Sequence, residues 1–224
     1  MSAIFDLELR AEALTRSPQN LDAALRFYDD ALRYRLALFD RQPTPANKLA
    51  QARNQLQAAL WLLDCAVLYT ELPPSVEYSY KRGDETAATL PSEALKRMNA
   101  AAASISTVLK ETPGMSDDPE VRRLIELKDF ADMRLIVLKH CAEAESRLLA
   151  RAPAEALAFL DKALCYSRLI NDFDQDRLIL HKLLMLNLEC MEYLLDLNVK
   201  GMELLGGRPS LFLERMRLLA ELRA

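Results

Sequence analysis

Two histidines, four cysteines and a run of spaced aspartates hold most of the chemistry this chain could do. His140 and Glu143 stand three residues apart, the spacing that puts two ligands on one helix face. A di-iron bundle needs a Glu three residues before each of two histidines, plus two further Glu. Val137 and Leu178 occupy those positions before His140 and His181. Cys65, Cys141, Cys165 and Cys190 are never closer than 24 residues, so they form no CxxC pair and no zinc-type spacing. Each lies in an apolar helical pattern and is expected to pack as a small hydrophobe with its thiol reduced. Asp172, Asp174 and Asp176 have the opening rhythm of a calcium loop. Its sixth and twelfth positions hold Arg177 and Leu183 instead of Gly and Glu, so the loop fails and an acidic helix start fits better. There is no GxGxxG, no Walker loop and no GxSxG. No catalytic residue, no metal and no cofactor is therefore expected.

Composition sets the elements that must position any site. Leu and Ala supply 44 and 31 of 224 residues, whereas Val and Ile together supply 12. Helices favour the first pair and strands the second, so the expected fold is all-α. Only 5 glycines argue against phosphate loops and tight hairpins. The 29 basic and 33 acidic residues leave a net charge of −4, with signs interspersed, so a protein coating duplex nucleic acid is not expected. Met1 to Asp6 lacks a basic region before an apolar run, so no signal peptide is expected there. The most apolar stretch, 178–197, is broken by His181, Lys182, Glu189, Glu192 and Asp196, so no membrane span is expected. These points together suggest a cytoplasmic protein.

Proline punctuates the chain. Ser17-Pro18, Thr44-Pro45, Asp118-Pro119 and Ala152-Pro153 each precede a long apolar-periodic run, the cap-then-proline order that starts helices. The pattern predicts eight helices over 3–15, 18–41, 45–71, 91–111, 119–150, 153–170, 175–205 and 209–222. The links Gln42–Thr44 and Arg151–Ala152 are short enough to force antiparallel neighbours. One irregular stretch runs from Leu72 to Leu90. The expected architecture is a single domain of stacked antiparallel helical hairpins.

Three segments share the form A-L-x-(F/L)-x-D-x-A-(L/V)-x-Y, at 24–34, 59–69 and 156–166. Ala24, Phe27, Ala31 and Tyr34 fall on one stripe, as do Ala59, Leu62, Ala66 and Tyr69, and Ala156, Phe159, Ala163 and Tyr166. The alanines are expected to let a neighbouring backbone approach, and the aromatics to fill the space above and below. The pattern resembles the second helix of a tetratricopeptide repeat. Ala24, Tyr28 and Ala31 match its signature positions, as do Ala156, Leu160 and Ala163, and the first two copies lie 35 residues apart, close to the family's 34. Such a resemblance implies stacked helix pairs that bind a protein or peptide. Helices of 24 to 32 residues exceed that family's usual length, so a bundle of long helical hairpins stays open. Asn171-Asp172 with its following acids is similar to the metal motifs of all-α isoprenoid synthases. Neither DDxxD nor NDxxSxxxE is complete, since Asp29-Asp30 runs into Ala31, Leu32 and Arg33.

Three places could seat a partner. The stretch 73–84 carries Tyr78, Tyr80, Lys81 and Arg82, types favoured at interfaces. Arg33, Arg35, Lys48, Arg53 and Asn54 cluster in sequence around the Gln42–Thr44 turn. The resemblance implies that such Lys, Arg and Asn side chains can clamp a peptide carboxylate. The helix at 209–222 has a broad apolar face that suits a cap, a groove ligand or a dimer contact. The expected function is a non-enzymatic interaction module, an adaptor, chaperone-like factor or regulatory subunit, with homo-oligomerisation left open. The alternatives are an all-α pocket enzyme of isoprenoid-synthase type and a self-assembling structural subunit.

Overall fold

The computed structural model describes residues 2–15, 20–71, 90–170, 179, 182, 183 and 185–190. Among them there is no strand. The elements are α1 (Ser2–Leu14), α2 (Leu21–Arg41), α3 (Pro45–Glu71), α4 (Leu90–Glu111), a 3-10 turn (Pro113–Asp117), α5 (Pro119–Leu149) and α6 (Pro153–Ile170). Residues 185–190 are also helical. The fold is all-α, built from packed helix pairs. The cap expected at Ser17-Pro18, the helix at 209–222 and the aspartates at 172–176 lie outside the described residues.

The expected caps form where proline starts the helix. At α5 the Asp118 Oδ1 accepts the N–H groups of Glu120 at 2.8 Å and Val121 at 3.4 Å. At α3 the Thr44 Oγ1 accepts the Asn47 N–H at 3.3 Å. Both satisfy donors that a first helical turn leaves unpaired. The end of α5 uses a device the residue types do not announce. Arg151 N–H donates to Leu148 C=O at 2.9 Å and Ala152 N–H to Arg147 C=O at 2.8 Å, with Arg151 at φ 58°. This is a Schellman stop with arginine where glycine is usual.

The chain divides into two compact units, Met1–Asp132 and Met133–Ala224, with the division inside α5. In the first unit α2 packs against both α1 and α3, and α3 packs against α4. The α2–α3 pair is antiparallel. Near the turn Gln51 Nε2 donates to the Arg35 C=O at 3.3 Å, and farther from it Tyr28, Ala58 and Ala11 of α1 form one buried cluster. Leu56, Leu62, Leu63, Ala94, Met98, Ala101 and Val108 are fully buried in this unit.

In the second unit Ala156, Leu160, Ala163, Cys141, Ala144 and Leu183 are buried without remainder. Arg147 pairs with Glu155 across the Arg151–Ala152 turn at 3.2 Å. Lys182 Nζ donates to Glu145 Oε1 at 2.5 Å, and Cys190 Sγ to the Pro153 C=O at 3.3 Å.

Two expectations about packing need correction. Among the described side chains, the aromatics of the repeated pattern lie at the edge of the core rather than within it, with Phe27 packed against the Ala11–Tyr28–Ala58 cluster. Tyr34 is 58% exposed, and Phe27, Phe159 and Tyr166 are only half-buried. At about 100° per residue, Tyr34 and Tyr166 lie roughly 80° round from the first alanine of their copies. The buried arc turns the other way, through Leu25 and Tyr28 in α2 and through Leu160 and Leu164 in α6. The positions that match the tetratricopeptide signature are the ones that are buried: Ala24, Tyr28, Ala31, and Ala156, Leu160, Ala163. The second correction concerns Cys165, which is exposed, whereas Cys65, Cys141 and Cys190 are buried. Cys165 neighbours the buried Ala163 and Leu164 in sequence, but the next step round the helix turns it to solvent.

Candidate interaction surfaces

Of the polar side chains grouped around the α2–α3 turn, the fold brings two together and sends the others elsewhere. Arg35 of α2 and Asn54 of α3 converge on Glu8 of α1. Arg35 Nε donates to Glu8 Oε1 at 2.6 Å, Arg35 Nη2 donates to Glu8 Oε2, and Asn54 Nδ2 reaches Glu8 Oε1 at 3.2 Å. The guanidinium thus takes the carboxylate in the two-pronged geometry suited to its planar fork. Asn54 is fully buried, and its Oδ1 has no hydrogen-bond partner among the described residues. Tyr28 lies on the same side. Burial, with smaller contributions from Glu12 and Glu8, pushes its hydroxyl up to about 12.

The remaining cations are each engaged with another side chain. Arg53 pairs with Glu120 of α5. Arg33 pairs with Asp30 at 3.2 Å on an exposed face, where such a pair contributes little. Lys48 Nζ sits 4.7 Å from the centre of the Phe39 ring. Tyr78, Tyr80, Lys81 and Arg82 lie outside the described residues.

Sequence reasoning missed two surface features. The first is a groove of about 330 Å³ between α4 and α5, lined by Ala102, Ile105, Ser106, Leu109 and Lys110 from α4 and by Ile125 and Lys128 from α5. Its floor is aliphatic. Two lysines stand among its lining residues, one of them held by Asp132 at 2.5 Å. Ile125 is 37% exposed, large for a branched aliphatic side chain that could have turned inward. The i, i+3, i+7 spacing of Ala102, Ile105 and Leu109 was the available signal. What it lacked was the identity of the facing helix.

The second feature is a ring cluster in the Met133–Ala224 unit. His140 of α5 stacks on Tyr166 of α6, with centroids 5.8 Å apart and planes at 17°, and its centroid is 6.2 Å from that of Phe159. Lys162 and Arg147 flank the Phe159 ring at 5.2 and 5.9 Å. His140 is held below the usual imidazole range, first by partial burial and then by Lys162, with Glu143 opposing. Among the described residues, no three His, Cys, Asp or Glu side chains gather so as to hold a metal ion. No described helix is long and apolar enough to cross a membrane. No protein-family model, no curated protein and no solved structure matches this chain.

Proposed function

We propose that this chain is a non-enzymatic protein–protein interaction module, an adaptor, chaperone-like factor or regulatory subunit, that takes a protein or peptide on the surface of its helical hairpins. The observation that carries this reading is the groove between α4 and α5. Ile105, Leu109 and Ile125 offer an aliphatic floor, with Lys110 and Lys128 beside it. A partner helix with apolar residues on one stripe and acids beside them is complementary to it. Burial at the two matched sets of signature positions supports a tetratricopeptide-like ancestry for the hairpins. Free cysteines support a reducing, cytoplasmic setting.

The test replaces Ile125 and Lys110 with Glu, two exposed side chains whose loss leaves the core intact. Tagged native and Ile125→Glu/Lys110→Glu chains are compared by quantitative mass spectrometry of their cross-linked partners. A specific partner set should fall at least about tenfold with the melting temperature unchanged, a change equivalent to roughly 1.4 kcal/mol. An unaltered partner profile would remove the groove from the reading. The same comparison with Tyr78→Ala, Tyr80→Ala and Arg82→Ala tests the 73–84 stretch.

A further inference from the structure

The way α1 is held differs from the way the other helices of its unit are held. A helix that belongs to a core contributes apolar side chains to it. Of the described side chains of α1, Ala11 alone is fully buried. Two of its largest apolar residues turn outward, Phe5 at 62% and Leu9 at 48% exposure. α1 packs along α2, and one carboxylate ties it to both α2 and α3. Glu8 takes two donors from Arg35 and one from Asn54. The receiving groups are built in place: Asn54 is fully buried, and Gln51 ties α3 to the Arg35 backbone at the same level. A seat that combines a guanidinium with an amide donor favours a carboxylate, since leaving those groups without an acceptor in a part-buried site is unfavourable. A short terminal helix that buries only one side chain fully belongs to the less stable part of a fold, where local opening occurs without global unfolding.

We infer that the α2–α3 hairpin carries a recognition site for a helix bearing a carboxylate, that α1 fills this site in cis through Glu8, and that α1 is a latch which a partner helix presenting a glutamate can replace. The site is separate from the α4–α5 groove, and the inference does not rest on the reading given to that groove. Opening exposes Arg35 and Asn54 together, and the ligand that closes the site again has to supply what Glu8 supplied: two carboxylate oxygens aimed at one guanidinium and one amide. Phe5 and Leu9 lie on the outer side of α1, so they do not oppose its departure.

Two measurements on the full chain test this. Amide hydrogen exchange of the native protein should show α1 exchanging at least about 100-fold faster than the buried centre of α3. Glu8→Gln should accelerate α1 about tenfold further while leaving α3 and α4 unchanged. A fluorescent synthetic peptide of residues 2–15 should then bind the Glu8→Gln chain at least about tenfold more tightly than the native chain, because the seat is freed. The same peptide with Glu8→Gln should bind neither. Equal protection of α1 and α3, global unfolding of the Glu8→Gln chain, or equal binding by the two peptides would each overturn the inference.

Discussion

Arg151 offers a test in which the folded geometry predicts both the sign and the size of a change. It is the residue with φ 58° at the end of α5, and its N–H and that of Ala152 close the two bonds of the Schellman stop. A residue with a Cβ in this left-handed region is disfavoured by about 1–2 kcal/mol. Glycine escapes that penalty but loses more backbone freedom on folding, a counter-effect of about 0.5–1 kcal/mol. Arginine also places a cation at a helix C-terminus, worth about 0.3–1 kcal/mol. That benefit disappears in Arg151→Gly and Arg151→Ala alike, so the clean comparison is between those two variants. Arg151→Gly should be more stable than Arg151→Ala by about 0.5–1 kcal/mol. With roughly 2–4 °C per kcal/mol for a chain of this size, the melting temperatures should differ by about 1–4 °C. Thermal unfolding followed by circular dichroism measures it. An alanine variant as stable as the glycine variant would show that backbone handedness at Arg151 is not what limits the end of α5.

Two further outcomes follow from burial. Cys165 is exposed, while burial pushes the Cys141 thiol up to about 12 and raises that of Cys65 further still. Iodoacetamide should therefore label Cys165 roughly 100-fold faster than Cys65 or Cys141 in the native chain, and comparable rates by peptide mapping would contradict the packing. Tyr28, held near 12 against an ordinary value of 10.0, keeps its proton in the folded chain after the unfolded chain has lost its own. The folded state then binds more protons, so stability declines as pH rises from about 10 to about 12, by on the order of 1–2 kcal/mol from this residue. The urea midpoint of Tyr28→Phe should fall less than that of the native chain over that range, and parallel losses would refute the assignment.

Helix positions were readable because their causes are local. Thr44-Pro45, Asp118-Pro119 and Ala152-Pro153 start α3, α5 and α6 at the proline, as expected. The ends of α3, α4 and α6 at Glu71, Glu111 and Ile170 also coincide with the reading, and α4 begins one residue earlier, at Leu90. A cap and a fixed proline φ act within one turn of chain. The stop at Arg151 was placed only to within a residue, since glycine marks such a site and arginine does not.

Which way each helix faces was less legible. The repeated Ala-Leu-x-Phe pattern fits two neighbouring arcs of a helix, and a Tyr, with an apolar ring and a polar tip, tolerates either. Composition and periodicity determined that this chain is helical, cap-then-proline pairs determined where α3, α5 and α6 begin, and the repeated alanines marked buried positions. Tertiary structure decided what the polar residues do. Arg35 and Asn54 read as part of a polar clamp for a partner's carboxylate, but Glu8, 27 and 46 residues away in sequence, holds both. The α4–α5 groove and the His140–Tyr166 stack likewise join residues from different helices. Periodicity records the face a helix presents. It carries no record of the helix that will meet that face, because pairing depends on how whole elements dock and not on spacing within any one of them.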